Sequence, residues 1–572
     1  MQKFIALLLS LVMLLSLAAC GGTESTEVEI DTTTATGIGT DLQWDGSLPL
    51  TDEATDNVIT IGLRPSANVL DYETNEFTLW LEEQTGLDLQ FVQFSGNAKD
   101  ASTQVSLMIA GGEKLPDILM GFNGIGKAVA KEYGRDGYFA NMAGYFATDA
   151  YYMTEALHTY YPEEADFELI SEQLMITILD PISQGIYNYP VLYQNPADNL
   201  LAQMWINQVW LDNLGLTAPT TVEELYDVLV AFRDNDPNGN GRKDEIPMVG
   251  RDGATAQDLV GWIINAFLYY NPTYKFNVEN GKIYTPYDQD EYRQALIYMK
   301  KLVDEKLLDP MTWTMSNAEL QTLINPLEDF TVGVITGSAD ERFETDHESI
   351  HQYVPLAPLA DATGKGGYGA QRLDTIHYYT FITTDCDNPR QAFRFLDFLC
   401  SQEAYLRGRW GVEGVNWDYA DETNTLPGAG GGEARLIIHG DDAFMGINNQ
   451  NWHAQQSICS GAYWQYALDL SDGSWKATMY NKLNQQKENY AAAGQPEELV
   501  YNLPRNDAEE EIFQEHNSDL NSFVATARAN FCTGITNPEN DTDWQAYLND
   551  LYAMGYQESW IDVAQGGYDR TH

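Results

Sequence analysis

Two hydrophobic periods alternate between residues 58 and 120, and this alternation constrains the fold more than any other feature of the chain. Stretches that alternate as strands do are separated by stretches with helical spacing. The strand-like stretches are 58–63, 87–94 and 115–120, and the helical ones are 74–85 and 100–110. A βαβαβ order of this kind predicts a doubly wound α/β lobe.

Polar residues follow the first and third of these predicted strands. Arg64 comes directly after the first strand, and Asn123 comes shortly after the third. In doubly wound sheets, ligands bind outside the carboxyl ends of the strands. We therefore interpret Arg64 and Asn123 as candidate ligand contacts at a cleft, with an ordinary loop role as the alternative for each.

Residues 234–245 (DNDPNGNGRKDE) carry an oxygen ligand at every second position and glycines where the chain must turn. Calcium takes six to eight oxygens, and EF-hand-like loops supply them at alternating positions. The helix before the loop begins at a capping box formed by either Thr220 or Thr221. The sequence predicts a structural Ca²⁺ site, and a solvated turn rich in Asn and Gly is the alternative. The candidate ligands are Asp236, Asn238, Asn240, Arg242 through its carbonyl, Asp244 and Glu245.

Two frames fit this loop. One begins at Asp236 and uses those six residues. The other begins at Asp234, places Gly239 at the turn and closes on Glu245, as in the generic EF-hand pattern. The frames differ mainly over Asp234 and Asp244, and the sequence pattern leaves both open.

The capped helix, the loop and residues 205–216 (WINQVWLDNLGL) together resemble one family, the family 1 type extracellular solute-binding proteins of carbohydrate ABC transporters. Residues 115–118 (LPDI) and 409–417 (RWGVEGVNW) also resemble it. The likeness is greatest to large Gram-positive lipoproteins related to alginate-oligosaccharide-binding proteins. It implies a two-lobe periplasmic-binding-protein fold of type II, with a hinge between the lobes and a central ligand cleft. It also implies the calcium frame that begins at Asp234.

The resemblance implies further ligand contacts across the chain. Tyr193 and Asn195 lie in the expected first crossover between lobes, and Ser338 ends the returning strand at the expected second crossover. Trp262 is a candidate platform for a sugar, although a tryptophan on an apolar helix is more often part of a core. The remaining implied contacts are Arg372, Glu413, Trp417 and Trp452.

The first 20 residues read as a lipoprotein signal. Lys3 precedes an apolar run that ends on Leu17-Ala18-Ala19-Cys20, the lipobox pattern. We expect residues 1–19 to be removed, Cys20 to carry a palmitate-type lipid, and residues 20–56 to act as a flexible tether, because they hold few large apolar side chains. This predicts a protein held on the extracellular face of the bacterial cell membrane.

The resemblance and the element order together give a division into lobes. The N-terminal α/β lobe is expected to comprise residues 57–190 and 338–405. The C-terminal lobe is expected to comprise residues 191–337 and 406–572 and to contain the calcium loop.

Composition narrows the choice of partners. The formal net charge is −54, with 85 acidic against 31 basic residues. Phosphate contacts need clustered Lys and Arg, so nucleic acid is excluded as a partner, and acidic sugars are disfavoured. The chain also has 13 Trp and 34 Tyr, which can stack on the apolar faces of sugar rings. Cys386, Cys400, Cys459 and Cys532 match no zinc spacing, and their disulfide state is left open.

We therefore predict a monomeric, non-enzymatic binding protein that captures a carbohydrate, in particular an oligosaccharide, and delivers it to the permease subunits of an importer. Two alternatives remain: a surface glycan-capture or sensor lipoprotein without transport, and a secreted polysaccharide hydrolase. Residues 347–351 (HESIH) satisfy the zinc-protease pattern HExxH, but Pro355 and a strand-like stretch follow at once, which argues against a catalytic helix.

Overall fold

The computed structural model describes most of the chain after residue 36. The described residues are 37–54, 56–66, 68–160, 167, 171, 174–175, 178–180, 182–193, 200–252, 257–371, 376–423, 425–429, 433–439, 448–452, 459–460, 467–500, 503 and 505–571.

Six strands form the first sheet, in the order β14-β4-β11-β3-β1-β2. Strands β1, β2 and β3 run parallel, as the βαβαβ pattern predicts, and β11 is antiparallel to its neighbours β3 and β4. The carboxyl ends of β1, β3 and β4 therefore share one edge. The strands are β1 (Val58–Leu63), β2 (Asp88–Gln93), β3 (Ile118–Met120), β4 (Tyr189–Tyr193), β11 (Ile376–Ile382) and β14 (Cys459–Ser460).

Four strands form the second sheet, in the order β10-β5-β9-β6. Strand β6 is parallel to β9, and β5 is antiparallel to both β9 and β10. The carboxyl ends of β6, β9 and β10 and the start of β5 therefore share one edge. The strands are β5 (Met204–Asn207), β6 (Ile246–Met248), β9 (Val332–Thr336) and β10 (Tyr353–Leu356), and two separate hairpins are formed by β7 (Asn277–Glu279) with β8 (Lys282–Tyr284) and by β12 (Trp417–Tyr419) with β13 (Leu436–Ile438).

Helices cover both sheets, and side-chain caps fix where many of them begin. Asn75 accepts from the backbone N–H of Phe77 at 3.1 Å and starts the first helix, and Gly86 ends it at a positive φ of 71°. The helices are α1 (Glu76–Thr85), α2 (Ala98–Gly111), α3 (Lys127–Arg135), α4 (Ala143–Thr148), α5 (Tyr151–Tyr160), α6 (Gln208–Leu214), α7 (Val222–Asp234), α8 (Leu259–Ile264), α9 (Asp290–Asp304), α10 (Asn317–Ile324), α11 (Ala339–Arg342), α12 (Ser349–Gln352), α13 (Pro389–Phe398), α14 (Gln402–Trp410), α15 (Trp475–Ala492), α16 (Asp507–Cys532), α17 (Asp541–Ala553) and α18 (Val563–Thr571). Short helical turns of other types span Pro286–Asp288, Pro310–Trp313 and Gln557–Asp562.

Each sheet has its own core. Phe77, Ile61 and Phe393 belong to the core on the first sheet, whereas Met204, Leu229 and Trp560 belong to a larger core on the second. The C-terminal helices α16 to α18 pack into the second core through side chains such as Leu520 and Trp544. A further hydrophobic cluster lies against each sheet, with Leu119 on the first and Trp205 on the second. Separate cores for the two sheets are the arrangement expected of two lobes.

Residues 37–50 differ from the flexible tether predicted for 20–56. Ile38, Trp44 and Leu50 are buried in the first core. The backbone N–H groups of Gly39 and Asp41 also donate to carbonyls of α4 at 2.8 and 3.0 Å. The prediction fails here because three large apolar side chains suffice to hold a segment that is polar on average. We call residues 37–50 the strap.

Two segments lie in the opposite lobe from the one predicted. Strand β10 falls within residues 338–405, which were assigned to the first lobe, yet it pairs with β5 in the second sheet. Strand β14 falls within residues 406–572, assigned to the second lobe, yet it pairs with β4 in the first sheet. The second crossover between the sheets therefore follows Leu356 and not Ser338. The lobe boundaries elsewhere stay a prediction.

Within the described residues, no helix is both long enough and apolar enough to cross a lipid bilayer.

Candidate functional site

Both crossovers join the same pair of sheet edges. The first leaves the carboxyl end of β4 and enters β5, and the second leaves the carboxyl end of β10 and enters β11. Each edge therefore carries the ends of parallel strands, and these two chain segments tie it to the other edge. A third segment passes from the first lobe to the second between β14 and α15. Ligands bind at such edges in α/β sheets.

Arg64 and Asn123 meet on the edge of the first sheet, as their positions after β1 and β3 predict. The Arg64 guanidinium donates to the Asn123 side-chain oxygen, to Gly121 O at 3.3 Å and to Gly96 O at 3.0 Å. Arg64 thus ties together the loops that follow β1, β2 and β3. Asn123 is exposed and Arg64 is half-buried. Because the guanidinium is planar and its donors are fixed, it can hold these loops in position to bind the hydroxyl groups of a ligand.

Ser338 lies on the edge of the second sheet, two residues beyond the end of β9. The carbonyl of the preceding Gly337 accepts from the Trp205 indole at 2.7 Å, and its N–H donates to Gln203 O at 2.9 Å. Gly337 has a φ of 127°, and a side chain there would collide with Arg342, so only glycine fits this turn. Ser338 is half-buried at the N-terminus of α11.

Trp262 lies on α8 and is only 3% exposed, inside the second core. Its indole N–H is buried and has no hydrogen-bond partner among the described residues. A buried donor without a partner costs free energy. The structure therefore places the Trp262 ring in the core. Only its indole N–H still has a hydrogen bond to donate.

Trp417 and Trp452 occupy core positions and present no open ring face. Trp417 is 3% exposed, and its indole donates to Gly411 O at 3.0 Å. Trp452 is fully buried among Tyr72, Phe77 and Phe91, and its indole donates to the Thr78 hydroxyl at 2.9 Å. This packing argues against the ligand contacts expected of both residues, because a sugar face needs an open ring.

Of the remaining predicted contacts, the structure describes the side chain of Glu413 and the backbone of Tyr193. Glu413 is exposed, on the turn that precedes Trp417. Tyr193 ends β4, where its backbone pairs with Ser460. Asn195, Arg372 and the lipid-bearing Cys20 lie outside the described residues. Cys386 and Cys532 form no disulfide with another described residue, and the Sγ of the buried Cys400 lies 3.4 Å from the Tyr189 hydroxyl.

The calcium loop follows α7, whose cap is Thr221: its hydroxyl accepts from Glu224 N at 3.2 Å. The Asp236 carboxylate accepts from Asn240 N at 3.1 Å and from Gly241 N at 2.9 Å. The Asn240 amide in turn donates to the Asp244 oxygens at 3.2 and 3.3 Å. Gly239 and Gly241 have φ of 71° and 75°, a conformation that favours glycine. The loop is thus folded around the side chains of Asp236, Asn240 and Asp244.

Glu245 supplies the observation that fits a cation. Its Oε1 is buried and has no hydrogen-bond partner among the described residues. Burial, together with the charges of Asp244 and Asp236, raises the pKa of Glu245. A buried carboxylate oxygen without a donor, repelled by two neighbouring carboxylates, is stabilised by a divalent cation.

Asp234 stands apart from this group. Both of its oxygens accept from the Arg233 guanidinium, at 2.7 and 2.9 Å, and its side chain is 54% exposed. The hydrogen bonds of the loop therefore favour the frame that begins at Asp236, not the one that the resemblance implied.

A pocket of about 650 Å³ lies beside the loop. Asn238, Asp329 and Phe330 are among its lining residues. Both the loop and residues 326–330 precede strands, β6 and β9, so this pocket lies at the opposite end of the second sheet from the crossovers. It is separate from the predicted ligand cleft.

The HExxH pattern does not form a metal site. His347 precedes α12, which is a single turn, and its Nδ1 accepts from Ser349 N at 3.1 Å. Among the described residues, no group of three or more His, Cys, Asp or Glu side chains is arranged to hold a metal ion. This includes Asp236, Asp244 and Glu245 of the calcium loop, whose carboxylates are not gathered around one point.

Sequence reasoning missed a buried ion pair on the second lobe. Arg528 of α16 pairs with Asp252 at 2.7 Å and donates to the Tyr270 hydroxyl at 2.7 Å. Asp252 lies four residues beyond β6, at the edge that carries Ser338. The one signal available was an arginine on the apolar side of a long helix.

Comparison with known proteins identifies the family of this chain. Residues 66–405, more than half of the chain, match the model of the family described as bacterial extracellular solute-binding protein. Lipoprotein LipO of Bacillus subtilis (strain 168) is 30% identical over 234 residues, which cover 39% of this chain and 45% of LipO. The fructooligosaccharide ABC transporter substrate-binding protein FusA of Streptococcus pneumoniae serotype 4 is 23% identical over 377 residues, which cover 64% of this chain and 65% of FusA. The chain thus aligns with less than two thirds of the length of either relative.

Solved structures resemble this chain over a larger part of its length. A solute-binding protein of Bifidobacterium longum infantis ATCC 15697, described as binding HMO and associated with an ABC transporter, has a TM-score of 0.68 at 20% identity and covers 90% of this chain and 98% of its own. FusA in complex with kestose has a TM-score of 0.65 at 19% identity, with 90% and 99% covered, and a FusA EF-hand mutant scores 0.64. These likenesses establish the two-lobe solute-binding fold and confirm that part of the prediction. The family also confirms that the chain is a binding protein and not an enzyme, since the chain belongs to the bacterial extracellular solute-binding protein family.

Proposed function

We propose that this protein is the lipid-anchored, substrate-binding component of an ABC importer for carbohydrate, in particular oligosaccharide. The observation that carries this is the pair of sheet edges tied by two crossovers in a chain of the solute-binding family. FusA and the Bifidobacterium protein, which share its fold, are named for sugar ligands. Two lobes that close over a ligand by a hinge can present the closed form to a permease.

The ligand lies between the two edges in this proposal. Arg64 and Asn123 take hydroxyl groups from the side of the first lobe, and Ser338 takes them from the side of the second. Tyr193, Asn195, Arg372 and Glu413 stay candidates along the crossovers and the rim. Flexible sugars need several such polar groups placed in advance, because each hydroxyl must exchange its water for a fixed partner.

The loop of Asp236, Asn238, Asn240, Arg242, Asp244 and Glu245 holds a structural Ca²⁺ in this proposal. The buried, unpartnered Oε1 of Glu245 and the repulsion that Asp244 and Asp236 exert on its carboxylate support it. The ion would supply positive charge to these carboxylates and fix the turn between α7 and β6. The loop precedes β6 and so lies at the opposite end of the second sheet from the crossovers, which gives the ion a structural role in this proposal.

Cys20 anchors the protein on the extracellular face of the membrane through its lipid, and the protein acts as a monomer. The LAAC lipobox supports the anchor, as does the match to LipO, a lipoprotein. Metabolic labelling with a palmitate analogue, in the wild type and in Cys20→Ala, tests it: label is expected in the first and not in the second.

Calorimetry against a panel of neutral and acidic oligosaccharides, in calcium, tests the function. We expect saturable binding of at least one sugar and no release of reducing ends. A ligand at 100 times its Kd stabilises the folded state by about 2.7 kcal/mol, which a thermal melt also detects. No binding across a broad panel would oppose the carbohydrate proposal, and release of reducing sugar would favour the hydrolase instead.

A further inference from the structure

The two crossovers lie side by side between the sheets. The backbone N–H of Leu201, on the first crossover, donates to Ala370 O on the second at 3.0 Å, and Leu200 is bridged to Gln371. Ala202 follows with a φ of 55°, in the left-handed region that favours glycine. A non-glycine residue held there stores a small amount of backbone strain. The surrounding structure must therefore hold this part of the hinge in place.

The C-terminal end of α15 supplies that support for the first crossover. The hydroxyl of Tyr490 lies 2.6 Å from Leu201 O and 2.8 Å from Ala202 O. Tyr490 is only 1% exposed, so water does not replace either contact. One hydroxyl has one proton to share between two carbonyls, and both carbonyls belong to the strained segment.

The same end of the helix also holds the second crossover. Gly369 N donates to Gly494 O at 3.2 Å, and Gly494 N donates to Gly367 O at 3.1 Å. The side chain of Gln495 donates to Gly369 O at 2.5 Å. Residues 490–495 therefore contact both crossovers, and we call this short segment the clasp.

The other end of α15 is fixed to the second lobe. The Lys482 ammonium donates to Ile350 O at 2.5 Å and to Tyr353 O. Met479 is packed with Trp205 and Tyr353. The helix thus joins the second lobe to both crossovers, in addition to direct contacts such as that of Tyr368 N with Asn265 O at 3.2 Å.

A purely structural role is the alternative, because any buried phenol needs an acceptor. Tyr353 offers a matched case: it is fully buried, and its hydroxyl donates to Val332 O at 2.8 Å inside the second lobe. The two tyrosines differ in where the acceptor lies. The acceptors of Tyr490 lie on the hinge, whereas that of Tyr353 lies within the sheet.

We propose that Tyr490 is a positioning residue of the hinge: its hydroxyl, with Gln495, holds the two crossovers together and so sets the balance between open and closed lobes and the affinity for ligand. Only the effect on ligand affinity rests on the proposed function. A ligand that needs the closed form binds more weakly as the closed population falls.

Tyr490→Phe, Tyr353→Phe and Gln495→Ala test this in the full-length soluble chain without lipid. We expect Tyr490→Phe and Tyr353→Phe to lower the melting temperature by similar amounts. Tyr490→Phe is expected to increase the radius of gyration of the ligand-free protein in small-angle scattering and to weaken sugar binding roughly three- to tenfold. Tyr353→Phe is expected to leave both unchanged. The rate of amide hydrogen exchange at Leu201 is expected to rise in Tyr490→Phe and to stay unchanged in Tyr353→Phe.

Gln495→Ala keeps the test open if Tyr490→Phe does not fold, because Gln495 is exposed at the end of the helix. It is expected to change the radius of gyration in the same direction by a smaller amount. The proposal is overturned if Tyr490→Phe behaves as Tyr353→Phe does in scattering and in amide exchange. If the wild type binds no sugar, the proposed function fails, while the scattering and exchange of the ligand-free variants still decide the role of the clasp.

Discussion

The hydroxyl of Tyr189, the first residue of strand β4, donates a hydrogen bond of 3.0 Å to the carboxylate of Asp397 on α13. Asp397 also accepts from the backbone N–H groups of Tyr152 and Met153, at 2.7 and 3.1 Å, in the first turn of α5. The side chain is fully buried. Burial raises the pKa of Asp397 to about 7, although these three hydrogen bonds act in the opposite direction.

A carboxyl group with a raised pKa predicts the sign of a pH effect. The folded state binds this proton more tightly than the unfolded state, whose pKa is about 3.9. The resulting stabilisation is complete below about pH 4 and is lost as the pH rises towards 7, by up to about 4 kcal/mol. Urea unfolding between pH 5 and 8 is expected to show this slope in the wild type relative to Asp397→Asn, which cannot titrate. Parallel pH profiles for the two proteins would contradict it.

Calcium is expected to raise the free energy of unfolding. At 100 times its Kd the ion stabilises by about 2.7 kcal/mol, and EDTA removes that stabilisation. Asp236→Asn is expected to abolish the response to calcium, because Asp236 organises the loop through Asn240 and Gly241. Thermal melts with calcium and with EDTA measure it.

Asp234→Asn is the control for this experiment and also separates the two frames. Asp234 pairs with Arg233 and lies outside the network of the loop. We expect Asp234→Asn to respond to calcium as the wild type does. Loss of the response in Asp234→Asn would instead restore the frame that begins at Asp234.

Trp452→Ala is expected to destabilise the first lobe by about 3–5 kcal/mol, as large deletions in a core do. Its indole hydrogen bond to Thr78 is lost as well. Affinity for sugar, measured by calorimetry well below the melting temperature, is expected to stay within a factor of about two of the wild type, since the ring has no open face. Weaker binding at unchanged stability would return Trp452 to the ligand site.

Arg64→Lys is expected to weaken sugar binding about tenfold. A lysine ammonium cannot hold Gly96, Gly121 and Asn123 in one plane as the guanidinium does, and tenfold corresponds to about 1.4 kcal/mol. Arg407→Lys is the control on the same lobe, where the guanidinium lies 5.0 Å from the centre of the Trp80 ring. Equal affinities in both variants would remove Arg64 from the site.

Local patterns predicted the local elements well. Strand β1 has the predicted bounds, and Thr221 caps α7 as the capping pattern indicates. These succeed because hydrophobic period and cap chemistry act between residues near in sequence. The helix that carries Trp262 is short: Asp258 caps α8, and the Asn265 side chain ends it by bonding Gly261 O and Tyr270 O.

The misses depend on contacts between distant residues. No local pattern shows that Trp452 fills a cavity against Phe77, or that β10 prefers β5 to the first sheet. The contact that favours one calcium frame over the other comes from Arg233, a neighbour outside the motif. Burial of single apolar residues in a polar segment is equally invisible to an average over that segment.

The strap decides which lobe the membrane would hold. Gly39 and Asp41 bind α4, and Trp44 packs against Tyr152, so the strap belongs to the first lobe alone. With Cys20 lipidated, residues 21–36 extend to about 60 Å at most. The first lobe then stays within that distance of the bilayer, whereas the second lobe is joined to the anchor only through the first. A transporter would sense ligand through the displacement of the second lobe relative to the anchored one.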